Sequence, residues 1–145
     1  MRDVIQKWYD WLKAAVSTEE KELSHVYSDG HQLWATDGFR LHARQVATEK
    51  QGQVTLGETG LFEVAANGQL PDFGASLPQT QPSAAVIVER DRLLQALAGQ
   101  DNHVRLTFFA GDQALELSSA GAYALVMPLS GLEESDFWRP EKSTR

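Results

Sequence analysis

The chain has 145 residues, a net charge of −7 and a hydrophobic fraction of 42%, which predicts one globular domain with a single core. It contains no cysteine, which excludes disulfides, thiol nucleophiles and thiolate metal sites and is typical of a reducing compartment. No stretch approaches the ~20 apolar residues of a membrane-spanning helix. We therefore expect a soluble, cytoplasmic protein with no membrane partner, whose acidity disfavours loose binding of nucleic acid.

The first predicted element is an amphipathic helix. Its apolar residues recur with helical periodicity on one face, namely Val4, Ile5, Trp8, Trp11, Leu12, Ala15 and Val16. Strands are predicted around residues 23–27, 32–36 and 39–46, and Asp37-Gly38 predicts a tight hairpin turn between the last two, because glycine tolerates positive φ and aspartate bonds the local backbone. We interpret Trp8, Trp11 and Trp34 as core residues rather than stacking platforms.

The second half repeats this order of elements. A β-branched run at residues 85–88 predicts a strand, and residues 89–98 predict a helix with Leu93, Leu94 and Leu97 inward and Gly99 at its end. Strands are predicted at 104–109, 114–118 and 122–129. A helix followed by three antiparallel strands, twice, indicates an α+β fold with an internal pseudo-repeat. Residues 47–85, rich in glycine and proline, predict an irregular connection with one strand at 60–66.

Two segments resemble motifs of one protein family. Residues 35–41, Ala-Thr-Asp-Gly-Phe-Arg-Leu, and residues 122–129, Ala-Tyr-Ala-Leu-Val-Met-Pro-Leu, are similar in sequence and order to segments of the bacterial DNA polymerase III sliding clamp (beta subunit). Residues 70–78 resemble the Phe-Pro-Asp-aromatic segment that links clamp domains. The resemblance implies a single DNA-clamp-like domain, with two helices packed on two small antiparallel sheets.

In this interpretation the clamp-like domain covers residues 1–130. Its first half is 1–46, the irregular connection is 47–85, the second half is 86–130, and a C-terminal tail follows at 131–145. The long connection, and the absence of a strand before the first helix, depart from the family pattern. Because a clamp ring contains several such domains, we expect a chain with one of them to self-associate into a homo-oligomer.

The resemblance also implies a binding site. Clamps hold short peptides of polymerases and repair proteins in a hydrophobic cleft, and the residues that match its lining here are Thr36, Gly38, Phe39, Arg40, Leu41, Val126, Met127, Pro128 and Leu129. Met127 would present adaptable apolar surface, and Arg40 could pair with a peptide acid or carbonyl. Phe39 departs from the family, where histidine is usual. The alternative interpretation is purely structural, with a tight hairpin at 36–41 and a core strand at 125–129.

The polar faces of the two helices are the candidate DNA contacts. They offer Arg2, Lys7, Lys13, Arg90 and Arg92, but acids lie among these bases, so solvated helix faces are the alternative. The four histidines, His25, His31, His42 and His103, lack a metal-ligand spacing. No nucleophile elbow, phosphate-binding glycine loop or catalytic carboxylate pair is present. We therefore predict no metal, no cofactor and no enzymatic activity.

The sequence as a whole predicts a sliding-clamp-like accessory factor of DNA replication or repair. It would bind peptides of polymerase or repair proteins, with duplex DNA as a second candidate ligand of the oligomer. The alternative is a stand-alone protein-interaction or regulatory domain that keeps the clamp fold without DNA binding.

Overall fold

The computed structural model describes residues 2–65, 70–111 and 113–140. Within these residues the chain forms two α-helices and two antiparallel β-sheets of five and three strands. This confirms the α+β class, whereas the clamp-like arrangement stays a prediction. The chain divides into two compact units: the first extends to Leu77 and includes Trp138, and the second is Pro78–Phe137. No helix of the described part is long and apolar enough to cross a membrane.

The first unit consists of one helix and one sheet. Helix α1 (Arg2–Lys13) is followed by β1 (Val26–Asp29), β2 (Gln32–Thr36), β3 (Leu41–Gln45), β4 (Gln51–Leu56) and β5 (Phe62–Ala65). The strands lie in the order β3-β2-β1-β4-β5.

Strand β4 was not predicted, so the interpretation of residues 47–85 as a mostly irregular connection is wrong at 51–56. The segment begins Gln51-Gly52-Gln53, a composition that does not favour a strand. It forms one because it pairs on both sides, with Val54 opposite Val26 of β1 and β5 on its other edge. Strand β5 confirms the strand predicted at 60–66, whose last residue, Ala66, lies outside the described residues.

Helix α1 packs on one face of this sheet through a narrow apolar stripe. Leu12 is fully buried and Tyr9 packs against the same cluster, which contains Leu12, Ala15, Val26, Leu33, Ala35 and Val54. The predicted apolar face was too wide, since Val4 and Trp11 are 43% and 46% exposed. Trp11 is therefore not a core residue. The face of α1 that packs on the sheet contains Tyr9 and Leu12, so it is rotated about the helix axis relative to the predicted apolar face.

The other face of the sheet is covered by residues 70–77, which include a short 3-10 helix at Phe73–Ser76. The ring of Phe73 stacks on Trp34, with centroids 5.4 Å apart and planes 4° from parallel. Tyr27 completes this cluster, and Leu70 and Leu77 pack against it. The prediction that Trp34 is a core residue is confirmed. The segment that resembles an interdomain linker of clamps thus forms part of the core of the first unit.

The second unit is smaller and also combines a helix with a sheet. It contains α2 (Arg90–Ala98), β6 (Arg105–Thr107), β7 (Leu115–Ser118) and β8 (Tyr123–Val126), in the sheet order β6-β7-β8. All three strands were predicted, and Gly99 stands at the end of α2 as expected. The helix-then-three-strands order therefore occurs in both units, with β4 and β5 added in the first.

Two details of the second unit differ from the predictions. Residues 85–88 form no strand; Val86 and Val88 pack against the core, and the segment accepts one backbone hydrogen bond, at Ile87. Leu94 and Leu97 are 56% and 39% exposed, because α2 meets its three-stranded sheet through Leu93 and Ala96 instead. The buried centre of this unit consists of Leu115, Leu117 and Val126.

Candidate functional site

The hairpin predicted at Asp37-Gly38 is present, but its loop has four residues, because Thr36 pairs with Leu41. The Asp37 carboxylate accepts hydrogen bonds from the backbone N–H groups of Phe39 at 2.9 Å and Arg40 at 3.0 Å. The bond from Phe39, together with those from Arg40, holds the pKa of Asp37 below its ordinary value despite some burial. The carboxylate therefore organises the loop.

Thr36 and Gly38 shape the same loop. The Thr36 hydroxyl donates to the Arg40 carbonyl at 2.6 Å and accepts from the Gly38 N–H at 3.1 Å. Gly38 has a φ of +92°, and a Cβ there would meet no atom within 4 Å. Glycine is thus favoured by the backbone conformation and not by lack of space. Both residues of the predicted cleft act within the turn.

Arg40 and Leu41 are also engaged within the first unit. The Arg40 guanidinium bonds the Asp37 carboxylate at 3.2 Å and donates to the carbonyl of Ala14 just beyond α1. Leu41 packs against the Trp34 cluster. Phe39 is the contrast, since its side chain is 99% exposed at the tip of the loop. Of the predicted lining residues in this hairpin, Phe39 is the one fully presented to solvent.

The second predicted segment surrounds the end of β8. Val126 is 3% exposed and lies in the core of the second unit, whereas Met127 and Leu129 are 61% and 38% exposed. Pro128 is half-buried. Residues 36–41 belong to the first unit and residues 126–129 to the second.

Strand β8 lies at the edge of its sheet and carries exposed apolar side chains. Among the described residues it pairs with β7 alone, and Ala124 packs on the core side. Tyr123 and Leu125 point to the other face and are 61% and 53% exposed. With Met127, directly after the strand, they form an apolar row along an edge, which we call the β8 row.

The backbone of the β8 row also faces outward. The Ser119 N–H donates to the Ala122 carbonyl at 3.0 Å and closes the β7–β8 hairpin. Because hydrogen-bonded pairs alternate along antiparallel strands, Ala124 directs its backbone groups towards β7. Tyr123 and Leu125 therefore direct theirs towards the open edge. The exposed side chains and the outward backbone groups belong to the same residues.

An acid borders this row. Glu116 on β7 lies diagonally across from Tyr123 in the sheet register, and the interaction with its carboxylate, with a smaller contribution from desolvation, raises the pKa of Tyr123. Glu116 also stands opposite Leu125 in the sheet register. The second unit as a whole contains three arginines and no lysine against eight acidic residues. The β8 row is thus an apolar strip in acidic surroundings.

Sequence reasoning did not identify Tyr123 and Leu125 as surface residues. Every position from Ala122 to Met127 is apolar or aromatic, so the pattern did not show which face of the strand is covered. The small residues at 122 and 124, alternating with large ones at 123 and 125, were the available signal.

The predicted DNA-facing arginines have partners within the chain. Arg2 donates to the Glu58 carbonyl at 3.3 Å, Arg90 pairs with Asp91 at 3.2 Å and Arg92 with Glu89 at 3.6 Å. Lys7 and Lys13 are exposed on α1, where Asp3 and Asp10 lie among them. Neither helix therefore presents a row of unopposed positive charge.

Two of the four histidines contact aromatic rings of the first unit. His42 stacks on Trp11, with centroids 4.2 Å apart, and His25 meets the edge of Tyr27. Within the described part of the chain no three histidine or acidic side chains form a group that could hold a metal ion.

Comparison of the chain with family models, curated proteins and solved structures finds no match. The likeness to sliding clamps therefore depends on the short motifs at residues 35–41 and 122–129.

Proposed function

We propose that this chain is a non-catalytic protein-interaction module that binds an extended apolar segment of a partner protein at the β8 row. The observation that carries the proposal is the coincidence of outward backbone groups and exposed side chains at Tyr123 and Leu125. A strand added to such an edge gains affinity from main-chain hydrogen bonds and specificity from alternate side chains.

The charge around the row defines the chemistry of the partner. Glu116 lies beside Leu125, and acids outnumber bases in the second unit. A segment with alternating apolar residues and basic flanks complements this surface, and opposite charges speed its association. Burial of two or three apolar side chains at ~25 cal/mol per Å² supports roughly micromolar affinity after ordering costs.

A clamp-like accessory role in DNA replication or repair is the more specific form of this proposal. Its support is the resemblance of residues 35–41 and 122–129 to clamp motifs, together with the exposure of Met127 and Leu129. The partner segments would then belong to polymerases or repair proteins. The stand-alone interaction module ranks first, because the α2 arginines face carboxylates of their own helix end and offer little to a phosphate backbone.

Fluorescence anisotropy with a labelled synthetic peptide tests the proposal. The peptide alternates leucine and serine and carries lysines at both ends. We expect saturable binding that Met127→Asp abolishes, because a carboxylate in an apolar contact loses solvation without a partner. Met127 is 61% exposed, so the substitution leaves the fold intact, as circular dichroism would verify.

The matched control is Leu94→Asp, which places the same charge at a leucine that is 56% exposed on α2. This variant should bind the peptide as the parent chain does. Absence of binding to the parent chain at low salt, or an equal loss in both variants, would contradict the proposal.

A further inference from the structure

We infer that a second copy of this chain occupies the same edge, with the two β8 strands antiparallel about a two-fold axis at Leu125. Natural edge strands are usually protected by charges, prolines or bulges. From Ala122 to Met127 the chain has neither a charge nor a proline. The other sheet edges do carry charged or ionisable side chains, at Arg105 on β6, Arg44 on β3 and Glu63 on β5.

The hydrogen-bond pattern limits the register. A residue whose backbone faces outward must oppose another such residue, so Tyr123, Leu125 and Met127 must oppose members of the same set. An axis at Leu125 places Leu125 opposite its own copy and Tyr123 opposite Met127 of the second copy. Every large exposed side chain of the row then meets an apolar side chain, as a self-complementary two-fold contact requires.

The two neighbouring registers fit less well. An axis at Ala124 would set Met127 opposite Gly121, which offers no side chain. An axis at Val126 would extend the pairing to Leu129, whose N–H already donates to the Ile87 carbonyl at 2.8 Å. The register centred on Leu125 is the one that uses the whole row and leaves that bond intact.

The interface is small, with three large side chains from each copy, so the dimer should dissociate in roughly the micromolar range or above. Both copies are acidic, with a net charge of −7 each. Salt screens this repulsion, so added salt should strengthen the dimer. The same salt should weaken the binding of a peptide with basic flanks. The second copy and the partner segment therefore compete for one edge but respond to salt in opposite directions.

Cysteine cross-linking tests the register directly, because the chain contains no cysteine of its own. In a hydrogen-bonded antiparallel pair the two Cα atoms are about 5.5 Å apart, within the range of about 4.4–6.8 Å that a disulfide spans. Under mild oxidation, Leu125→Cys should form a covalent dimer at least about tenfold faster than either control.

Two variants control for exposure. Met127 is at least as exposed as Leu125. In the proposed register, however, Met127 of one copy lies four residues along the paired strands from Met127 of the other. The two sulfur atoms of Met127→Cys would therefore be about 14 Å apart. Leu94→Cys, on α2, reports random collisions. Cross-linking of Met127→Cys as fast as Leu125→Cys would overturn the register.

Sedimentation equilibrium of charged variants provides a second test. Tyr123→Lys and Met127→Glu should each weaken the dimer at least about tenfold, because each leaves a charge against an apolar side chain. The double variant should restore it, since lysine and glutamate then face each other twice across the axis. Failure of the double variant to recover, while both single variants stay folded, would overturn the pairing.

The assembly state separates this inference from the proposed function. A strict monomer at millimolar concentration, or head-to-tail oligomers without a cross-link at position 125, would overturn the dimer and leave peptide binding at β8 standing. A dimer that forms as described but binds no peptide would contradict the proposed function alone.

Discussion

The guanidinium carbon of Arg44 lies 3.8 Å from the centre of the Trp8 ring. It is one of three contacts that alternate residues, Arg44 and His42 of β3 and Arg40 just before it, make with α1 or with Ala14 just beyond it. The second is the stacking of His42 on Trp11, and the third is the bond from Arg40 to the chain just beyond the helix. Alternate residues of an extended chain lie on the same face. Here residues 44, 42 and 40 contact residues 8, 11 and 14, which follow one another at three-residue intervals along the helix side. These contacts attach β3, an edge strand, to α1.

Replacement of Arg44 tests this attachment. Arg44→Met keeps most of the apolar stem over Trp8 but removes the cation, and we expect the free energy of unfolding to fall by about 0.5–1 kcal/mol. Arg44→Lys should lose less, because the charge is retained. Urea denaturation followed by tryptophan fluorescence measures both. Equal stability of Arg44→Met and the parent chain would show that the cation–π contact contributes nothing.

Phe73→Ala tests the importance of residues 70–77 to the first unit. Phe73 is 6% exposed and stacks on Trp34, so its truncation should lower the free energy of unfolding by about 3 kcal/mol or more. Phe109→Ala, at a phenylalanine that is 43% exposed in the second unit, is the control and should change it little. A small effect of Phe73→Ala in thermal denaturation would mean that the segment adds no stability to the sheet.

Acid should weaken the first unit through Asp29. Burial raises the pKa of this carboxyl, but hydrogen bonds from the His31 N–H, from Gln32 and from the Trp34 indole outweigh burial and lower it below the ordinary value. A depressed folded pKa contributes stability above the unfolded pKa of about 3.9, and this contribution disappears as pH falls through the folded pKa.

Asp29→Asn should therefore flatten the loss of stability below about pH 4. At neutral pH the same variant should be less stable by about 1.5–3 kcal/mol, since bonds to a charged acceptor are lost. Urea denaturation across the acid range measures both effects, with Asp3→Asn on the exposed face of α1 as the control. If the free energy of unfolding fell as steeply with pH in Asp29→Asn as in the parent chain, Asp29 would not be the source of the acid sensitivity.

Glu49 is a site where stability can be gained. Its φ is +61°, and it is the one non-glycine residue of the described chain with positive φ. Glu49→Gly should relieve this strain, which costs about 1–2 kcal/mol. Because glycine also raises the entropy of the unfolded chain, we expect the free energy of unfolding to rise by only about 1 kcal/mol or less. Glu49→Ala should bring no gain. Thermal denaturation of the two variants measures these changes. A gain in stability for Glu49→Ala but not for Glu49→Gly would contradict the explanation by backbone strain.

Duplex DNA binding separates the clamp-like role from the stand-alone module. Because Arg90 and Arg92 pair with carboxylates at the start of α2, we expect no measurable retention of duplex DNA at physiological salt. Lys7→Glu combined with Arg92→Glu should leave peptide binding unchanged. Duplex binding at physiological salt that this double substitution weakens would favour the clamp-like role instead.

Local sequence signals were sufficient for most elements. The helical period of apolar residues predicted α1, and turn residues at Asp37-Gly38 predicted the β2–β3 hairpin, whose loop Asp37 and Thr36 stabilise through bonds to their near neighbours. These features depend on contacts within a few residues, so the sequence contains the information. The same holds for β7 and β8, which a short turn joins.

Tertiary contacts decided which further segment forms a strand and which side of α1 is buried. Strand β4 exists because β1 and β5 pair with it, and nothing in the composition of Gln51-Gly52-Gln53 requires a strand. Trp11 is exposed and Tyr9 packed, although both fit an amphipathic helix.

Along β8, the sequence by itself determined an apolar strand, and the fold decided that Val126 enters the core while Leu125 stays exposed. The physical reason is that a strand apolar at every position can bury either face. Only the position of α2 against the second sheet selects one. The candidate site is the face of β8 that α2 does not cover, with Tyr123 and Leu125 exposed. It could therefore be identified only from the structure.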